Sequence, residues 1–374
     1  MIMPKRVLVQ GTGLIGTSVA LALRDKGTEV WLSDADPATA RLAADLGAGT
    51  VIADLRDAKG IADIALLAMP PAVVGRQLAH AQDCAVADVY TDVASVKVLP
   101  ARHARELGCD LESYVPAHPL AGRERHGPAA AQADLFLGRT WALCPLPETA
   151  PDAVDAVTAL AVACGADPVV TDPETHDRWV ALVSHAPHLV AVAMAARLAP
   201  SSVPADALKL AGQGLRDVTR IAAGDSSLWT QILAANAGPV AEVVAAVAED
   251  LAAVARLLGG LPAGTTAAVP PTTGTGASGV TSLLDRGREG AGRIPGKHGG
   301  KPRNFTVVQV VLADRPGELA RLFNAAGAAG VNIEDIRLEH SPGLPVGVAE
   351  LSVRPDQAGR LLDAMEAGGW PVRR

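Results

Sequence analysis

Cysteine is scarce in this sequence, with four residues among 374. They lie 25, 35 and 20 positions apart, at Cys84, Cys109, Cys144 and Cys164. This spacing contains no C-x-x-C pair, which excludes the common zinc-finger and dithiol redox motifs. The length excludes a small disulfide-stabilised scaffold, because a chain of 374 residues can bury more than one hydrophobic core. Free thiols are typical of a reducing compartment, so we expect a cytoplasmic protein.

We expect neither a secretory leader nor a membrane span. The first six residues carry two basic side chains but lead directly into a short apolar strand and a glycine turn. The longest apolar stretch, Val240–Leu261, contains Glu242, Glu249 and Arg256 at intervals of seven. That interval places the three charges on one helical face. We interpret the stretch as a buried helix with one solvated edge.

An excess of basic residues is also lacking. The chain has 33 Lys and Arg against 40 Asp and Glu, a formal net charge of −7. Such a balance gives no electrostatic reason to bind nucleic acid or an anionic membrane. Hydrophobic residues make up 49% of the sequence, which argues against a disordered chain. We therefore expect two or three folded domains and a small-molecule partner.

Alternation of short strands with helices marks residues 1–172 as an α/β domain with a parallel sheet. The clearest predicted strands are Val7–Gln10, Glu29–Ser33, Ile61–Ala68 and Val86–Asp92. Residues 173–260 change to long alanine-rich helical patterns, predicted at Arg178–Leu198, Ala205–Ala222 and Leu228–Leu258. These helices are apolar around much of their circumference, so a second subunit is the simplest cover for them. The pattern predicts a homodimer.

Residues 261–303 are rich in Gly, Pro, Thr and Ser and then become basic, which is typical of a linker. A basic strap that contacts nucleotide is the alternative. Residues 304–374 resume order. The predicted strands are Phe305–Leu312, Val331–Glu339, Val346–Val353 and Trp370–Val372, with helices at Gly317–Ala329 and Gln357–Ala367. This order describes a small βαββαβ unit.

The first predicted strand runs into Gly11-Thr12-Gly13-Leu14-Ile15-Gly16, followed by a helix and a second strand that ends at Asp34. A G-x-G-x-x-G motif in this strand-loop-helix context, with an acid 18 positions after its last glycine, is typical of a Rossmann domain that binds a dinucleotide. Asp34 is suited to accept hydrogen bonds from ribose hydroxyls and to repel a 2′-phosphate, which favours NAD over NADP. The alternative is an ordinary strand-turn-helix with glycines for packing.

Polar islands interrupt the apolar sequence and contain four of the nine histidines. Ser95 and His118 each follow a predicted strand, so both can reach the carboxyl edge of the sheet. A histidine is suited to take a proton from a hydroxyl at neutral pH, and a serine can orient it. The alternative is a structural histidine.

A second island, on a predicted helix, places His185 and His188 three positions apart on one face with Ser184. Pro187 lies between them, and a helix bent by proline at a polar patch predicts the wall of a pocket. Capped histidines at a helix end are the alternative. A zinc site lacks a third ligand at a recognisable spacing, so we expect no metal.

Two arginines, Arg216 and Arg220, lie one turn apart in a mostly apolar helix. A guanidinium binds a carboxylate in a planar, bidentate way, so either is a candidate substrate contact. Surface pairing with Asp217 or Asp225 is the alternative.

Together these motifs resemble the prephenate dehydrogenase family with a C-terminal ACT domain, and the resemblance covers nearly the whole chain. The residues that carry it are the glycine motif, Asp92 with Ser95-Val96-Lys97, His118-Pro119-Leu120-Ala121-Gly122, Ser184-His185-Ala186-Pro187-His188, and Asp217-Val218-Thr219-Arg220-Ile221-Ala222 with Trp229. Thr12 departs from the small or apolar residue typical of the family.

The resemblance implies NAD-dependent oxidative decarboxylation of prephenate to 4-hydroxyphenylpyruvate. It implies that His118 accepts the hydrogen bond of the C4 hydroxyl, that Ser95 orients His118, and that Arg220 holds a substrate carboxylate. His188 would line the pocket near the nicotinamide, and Trp229 would enter from the neighbouring subunit. Further substrate contacts are expected at Lys97, Ser184 and His185.

The segment Asp314-Arg315-Pro316-Gly317-Glu318-Leu319 resembles the first loop of ACT domains. The resemblance implies an amino-acid effector, tyrosine, bound near Asp314 and Gly317, where a helix begins and its N–H groups can meet a carboxylate. An ACT fold kept for assembly alone is the alternative.

Two other functions stay open at this point. The substrate of the same enzyme class could be arogenate, whose ammonium group Asp217 could favour. A non-catalytic regulator that senses a dinucleotide and an amino acid would need the cofactor motif but has no use for Ser95 with His118. The dehydrogenase hypothesis requires that His118 and Arg220 converge on one small dicarboxylate.

Overall fold

The computed structural model describes residues 3–122, 126–200, 203–260, 275–294, 305–340 and 345–373. The chain divides into two compact units, Met1–Ala248 and Glu249–Arg374. The first unit holds the α/β and helical segments, and the second ends in a small sheet.

A six-stranded parallel sheet forms the centre of the first unit, in the order β3-β2-β1-β4-β5-β6. Its strands are β1 Arg6–Gln10, β2 Glu29–Ser33, β3 Thr50–Val51, β4 Ala62–Leu67, β5 Ala87–Asp92 and β6 Tyr114–Val115. The four strands predicted from the sequence are confirmed to within one residue at each end. In this order the crevice at the carboxyl ends of β1 and β4 is the expected ligand site.

Helices cover both faces of the sheet: α1 Leu14–Arg24, α2 Pro37–Asp45, α3 Pro71–Asp83, α4 Val98–Glu106 and α5 Pro151–Ala163. The side chains of alternate residues of β1 pack against opposite faces of the sheet. Val7 and Val9 pack in the core that contains α1 and α5. Leu8 packs in the core that contains α3 and α4. Because both faces are buried, the strands are almost continuously apolar, which is why the sequence reveals them.

A second, three-stranded sheet was not predicted. It consists of β7 Ala117–Pro119, β8 Thr140–Leu143 and β9 Asp167–Val170, in that order. The strand β7 has three residues, one of them a proline, so neither length nor alternation indicates it. This short strand carries His118, and its pairing with β8 fixes the backbone of the predicted catalytic residue.

The helices that follow the sheets are α6 Pro173–Val180, a π-helical turn Ala181–His185, α7 Ala186–Ala196, α8 Ala205–Leu208, α9 Gln213–Thr219, a 3-10 turn Arg220–Ala223, α10 Ser226–Ala235 and α11 Ala237–Gly259. The boundary between the two units falls within α11. By length and composition the run Pro173–Ala196 could cross a membrane, with 33% of its apolar window buried. A run of this kind is weak evidence for a membrane protein, because core helices pass the same test.

The three long predicted helices were too continuous. Ala205–Ala222 is broken, with α9 beginning after Gly212, whose backbone is extended. Leu228–Leu258 is broken at Asn236, which leaves helical geometry. The Asn236 amide donates to the carbonyl oxygen of Asp177 at 2.8 Å. Tertiary hydrogen bonding therefore overrides the helical propensity of the alanine-rich sequence.

The predicted linker, 261–303, contains an eighteen-residue helix, α12 Thr275–Gly292. Glycine and serine indicated a linker, but Val280, Leu283 and Leu284 recur at helical spacing among charged residues. This part of the linker assignment is therefore corrected. Residues 261–274 and 295–303 lie outside the described part of the chain, and the domain boundaries stay a prediction.

The second unit ends in a four-stranded sheet, in the order β11-β12-β10-β13. Its elements follow the predicted βαββαβ order: β10 Thr306–Ala313, α13 Glu318–Ala328, β11 Asp335–His340, β12 Val346–Val353, α14 Ala358–Ala367 and β13 Val372–Arg373. One apolar core joins the sheet to both helices, with Val310, Leu322 and Leu361 fully buried. The predicted β11 began four residues too early, at Val331.

Candidate active site

The glycine loop between β1 and α1 is shaped by two positions where only glycine fits. Gly11 has φ +95°, and a Cβ there would lie 2.2 Å from the carbonyl oxygen of Ala68. A Cβ on Gly16 would lie 2.0 Å from the carbonyl oxygen of Gly11. The two glycines let the loop, β4 and α1 pack closely.

Gly13 is different, because a Cβ there would meet nothing within 4 Å. Gly13 is the N-cap of α1, and no side chain caps the helix. The N–H groups of the first turn, which includes Leu14 and Ile15, are therefore available to an anion, and the helix dipole favours one. This open cradle fits the pyrophosphate of a dinucleotide.

Asp34 follows β2 and is held against the glycine loop. Its Oδ2 accepts hydrogen bonds from the backbone N–H of Thr12 at 2.6 Å and from the Thr12 hydroxyl at 2.9 Å. Its Oδ1 accepts from the N–H of Asp36 at 2.9 Å. A carboxylate has about four acceptor sites, so the group keeps capacity for a ribose hydroxyl. Thr12, which the sequence marks only as a departure from the family, orients the predicted ribose acceptor.

A chain of polar side chains leads from His118 into the helical part of the unit. The Nδ1 atom of His118 lies 3.0 Å from Nε2 of His176. The Nδ1 atom of His176 lies 2.8 Å from Oδ1 of Asp177. The Asp177 carboxylate also accepts from the backbone N–H groups of Lys97 at 2.8 Å and Val98 at 3.0 Å. The chain thus connects β7, α6 and the N-terminus of α4.

The expected contact between Ser95 and His118 is corrected by this geometry. Among the described residues, the side-chain hydrogen-bond partner of His118 is His176, and Ser95 makes no side-chain hydrogen bond. Ser95 is half-buried beyond the carboxyl end of β5, where the sequence placed it. Its hydroxyl remains a candidate for direct contact with substrate, but it does not orient His118.

Lys97 is also placed differently from the expectation. Its side chain is fully buried and its ammonium forms an ion pair with Asp92, which is buried as well. The ammonium also donates to the carbonyl oxygen of Ala117, directly before His118. Asp92 further accepts from the Tyr114 hydroxyl at 2.7 Å. Two of the three ammonium donors are therefore committed to holding the backbone of the site, and contact of Lys97 with substrate stays a prediction.

The polar residues in and after the π-helical turn lie partly in the interior and partly on the surface. His185 and His188 are buried, whereas Ser184 is exposed, which corrects the prediction that all three share one face. The wide turn Ala181–His185 changes the helical phase on which that prediction rested. Pro187 stands in the first turn of α7, where its missing N–H is tolerated. The prediction of a helix bent by Pro187 is therefore wrong, since the irregular geometry lies in the wide turn before the proline.

Trp229 lies inside the site of its own chain. Its indole stacks on the His188 imidazole with ring centroids 3.5 Å apart and planes inclined by 5°. The edge of the His185 ring faces the same indole at 6.1 Å. Within one chain the tryptophan thus reaches both histidines, and its entry from the neighbouring subunit stays a prediction.

Arg220 opens the 3-10 turn that packs against α7. Gly224, which follows this turn, is so close to both rings that a Cβ would lie 2.5 Å from Nε1 of Trp229 and 3.2 Å from Cε1 of His188. The turn thus lies beside His188, and Arg220, its first residue, is exposed. That Arg220 and His118 bind one molecule stays a prediction.

The histidines of the site are poorly solvated, which changes their proton affinity. Burial, with the nearby His176 and Lys97, holds the pKa of His118 well below the usual 6.5. Burial lowers the pKa of His185 to about 4, although Asp177 acts in the opposite direction. Burial also lowers the pKa of His188. At neutral pH these imidazoles are uncharged, and His118 is suited to accept a hydrogen bond.

Three residues of the site were missed at the level of sequence: His176, Asp177 and Asn236. His176 and Asp177 were visible as a polar pair, but their partners lie 58 and 80 positions away. Asn236 reaches Nδ1 of His185 at 3.2 Å as well as the backbone of Asp177. In the described ranges no group of three metal-ligating side chains is present.

Comparison with known proteins gives matches over both parts of the first unit. Residues 19–170 match the family model described as prephenate dehydrogenase, nucleotide-binding domain, and residues 172–260 match prephenate dehydrogenase, dimerization domain. A probable prephenate dehydrogenase, NovF, from Streptomyces niveus is 38% identical over 370 residues, which covers 98% of this chain and 99% of the relative. The cyclohexadienyl dehydrogenase of Zymomonas mobilis is 31% identical over 66% of this chain and 86% of its own.

Among solved structures, prephenate dehydrogenase from A. aeolicus in complex with hydroxyphenyl propionate and NAD+ has a TM-score of 0.65. The identity is 24%, over 78% of this chain and 99% of that chain. This likeness shows a shared fold.

The glycine loop generates a matched pair of variants. We expect Gly16→Ala to destabilise the fold by about 1–3 kcal/mol, because the new Cβ overlaps backbone. Gly13→Ala meets open space, so the unfolding free energy should change by less than about 0.5 kcal/mol. Its methyl group stands where the pyrophosphate would approach, so NAD affinity should fall on the order of tenfold. Thermal unfolding measures the change in stability of each variant, and NAD titration measures the change in affinity. Unchanged NAD affinity in Gly13→Ala would contradict the proposed cradle.

Proposed function

The chain belongs to the prephenate dehydrogenase family, and from that premise we propose that it catalyses the NAD-dependent oxidative decarboxylation of prephenate to 4-hydroxyphenylpyruvate. The observation that carries the proposal is His118, an uncharged imidazole beyond the carboxyl edge of the sheet with a fixed partner on its Nδ1 atom. A regulator without catalysis has no need for such a group.

Prephenate has a hydroxyl and a hydrogen on ring carbon C4 and a carboxylate on C1. Bound at the glycine loop, NAD supplies an acceptor for the hydride of C4. Departure of that hydride and of CO2 from C1 leaves an aromatic ring and requires no net gain or loss of protons. His118 accepts the hydrogen bond of the C4 hydroxyl as positive charge develops there, and any proton it takes returns to the phenol oxygen.

The other residues of the site position the substrate. Arg220 is the proposed partner of a substrate carboxylate, since a guanidinium binds such a group in a bidentate way. The stacked pair of His188 and Trp229 offers an apolar wall beside that turn. Ser95 and His185 are proposed as polar contacts. Arg220 should not neutralise the leaving carboxylate too well, because binding that is equally strong in the ground state does not lower the barrier.

Prephenate is favoured over arogenate because the relative that matches nearly the whole chain is a probable prephenate dehydrogenase. Asp217 was the residue that could hold the ammonium group of arogenate. It is exposed, and its Oδ1 accepts from the Gln213 amide at 2.9 Å. Arogenate dehydrogenase from Synechocystis shares the fold, with a TM-score of 0.61 and 24% identity.

We also propose a homodimer in the cytoplasm. Residues 172–260 match a dimerization domain, and several large apolar side chains of this segment are exposed in the single chain. They are Trp179, Leu182, Val183, Val190, Met194 and Leu210. An excess of exposed large apolar side chains in one segment favours an interface between subunits.

Tyrosine is proposed as an effector of the second unit, which we interpret as an ACT domain. A cleft of about 490 Å³ lies between the segment Leu312–Ala320 and the strands β11 and β12. Asp314 and Gly317 line it, and Gly317, with φ +86°, starts α13. The N–H groups of this helix could bind the amino-acid carboxylate.

The direct test is turnover with each substrate. We expect purified protein with NAD and prephenate to form NADH and CO2 in equal amounts, measured by absorbance and by CO2 release. Arogenate in place of prephenate should give much slower turnover. Activity with arogenate alone would replace the proposed substrate, and inactivity with both would refute the proposed reaction.

Removal of the acceptor should separate chemistry from binding. We expect His118→Asn to lower kcat by about 10²- to 10⁴-fold, with NAD affinity changed by less than about twofold. In the unaltered enzyme a low pKa keeps His118 uncharged through the usual imidazole range, so kcat/KM should start to fall only well below pH 6.5. A pH-rate profile checks this. An acid limb at or above pH 6.5 would show a different acceptor.

The effector proposal predicts that inhibition by tyrosine depends on residues 304–374. We expect tyrosine to inhibit the full chain, and a chain truncated after residue 303 to keep turnover but lose that inhibition. Equal inhibition of both proteins would show that the small sheet serves assembly alone.

A further inference from the structure

The buried residues His176 and Asp177 have no assigned role in the proposed reaction. We infer that His176, anchored by Asp177, is a positioning residue that fixes the tautomer of His118 so that Nε2, the atom facing substrate, is the acceptor. This inference rests on the proposed function, and it adds a structural reason why His118 can perform its role.

The Asp177 carboxylate determines where the hydrogen of the His176 ring lies. Asp177 is 2% exposed, and its carboxylate oxygens already accept two backbone N–H groups. An ionised carboxylate can only accept hydrogen bonds, so the hydrogen between it and His176 belongs to Nδ1 of His176. A neutral imidazole then carries a lone pair on Nε2.

The tautomer of His176 in turn determines the tautomer of His118. The lone pair on Nε2 of His176 faces Nδ1 of His118 at 3.0 Å, so Nδ1 of His118 carries the hydrogen. His118 is uncharged at neutral pH, and its Nε2 is therefore bare. None of the described residues gives this Nε2 a hydrogen-bond partner. The one open position of the three-residue chain is the acceptor that the reaction requires.

Asp177 is itself immobilised, which makes the chain a rigid device. It caps the N-terminus of α4, where Lys97 is the N-cap residue and makes no capping bond of its own. The helix dipole favours a negative charge at this point. The backbone carbonyl of Asp177 is held in turn by Asn236. Because both ends of the residue are fixed, the His176 ring cannot turn without breaking buried hydrogen bonds.

The hydrogen bond between the two imidazoles also responds to the reaction. As Nε2 takes up proton density, Nδ1–H becomes a stronger donor toward His176, whose other nitrogen faces a carboxylate. No proton has to move along the chain, since His176 keeps its hydrogen on Nδ1 throughout. The role corresponds to the third member of a nucleophile-base-carboxylate triad, with one imidazole inserted.

The first test observes the tautomer directly in the unaltered protein with bound NAD. Nitrogen-15 NMR of the histidine rings, with His118 assigned by its loss in His118→Asn, reports which nitrogen carries hydrogen. We expect Nδ1–H with bare Nε2, whereas histidine in water prefers Nε2–H. An Nε2–H tautomer for His118 would overturn the inference, whatever the activity.

The second test compares two replacements of His176. His176→Gln can present an oxygen to Nδ1–H of His118, whereas His176→Leu offers no acceptor. We expect the leucine variant to lose at least about 100-fold in kcat with little change in the prephenate KM. The glutamine variant should stay within about tenfold of the unaltered enzyme. The leucine variant should also shift His118 toward the Nε2–H tautomer.

A matched control is His80→Leu, which replaces an exposed imidazole of α3 and should leave kcat unchanged. Equal damage by glutamine and leucine at His176, or a folded leucine variant with full kcat, would refute the positioning role. If the leucine variant does not fold, the tautomer of His118 in the unaltered protein still tests the inference. Should neither prephenate nor arogenate react, the proposed reaction fails while the NMR result judges the inference on its own.

Discussion

The structure of the site depends on one buried carboxylate, that of Asp177. It joins the N-terminus of α4, a helix that covers the parallel sheet, to α6, the first helix of the helical part of the chain. A buried carboxylate loses its hydration, and here three N–H donors replace the lost water. The domain that holds the proposed dinucleotide site and the helices proposed to bind substrate therefore meet across a fixed contact.

A second buried charge supports the first. The Lys97 ammonium pairs with Asp92 and donates a hydrogen bond to the carbonyl oxygen of Ala117. The backbone N–H of Lys97 donates to the Asp177 carboxylate. One residue therefore fixes both the strand that carries His118 and the carboxylate that anchors His176. Removing one partner of such a pair leaves an uncompensated charge in the interior, which is far more costly than exchanging an exposed ion pair.

Features set by local sequence were the ones that the sequence predicted well. The strand-loop-helix from Arg6 to Arg24 and the order of elements after residue 304 were confirmed, because hydrophobic periodicity and glycine requirements act over a few residues. The prediction that His118 lies at the sheet edge agrees with the structure, but its partner was wrong. His176 lies 58 positions away, and only the packing of α6 on the sheet brings the rings together. Asn236 is harder still, since a lone asparagine in an alanine-rich helix carries no signal of its buried partner.

The wide turn at Ala181–His185 gives the site an adjustable element. A π-helical turn holds one residue more than an α-helical turn, so it offsets the angular position of everything that follows it by about 100°. Shortening it by a single residue would restore a regular helix and rotate His188 away from the indole of Trp229, without touching the sheet or the glycine loop. Insertions and deletions in this one turn are thus a route by which evolution can redirect the substrate face while the dinucleotide half stays as it is.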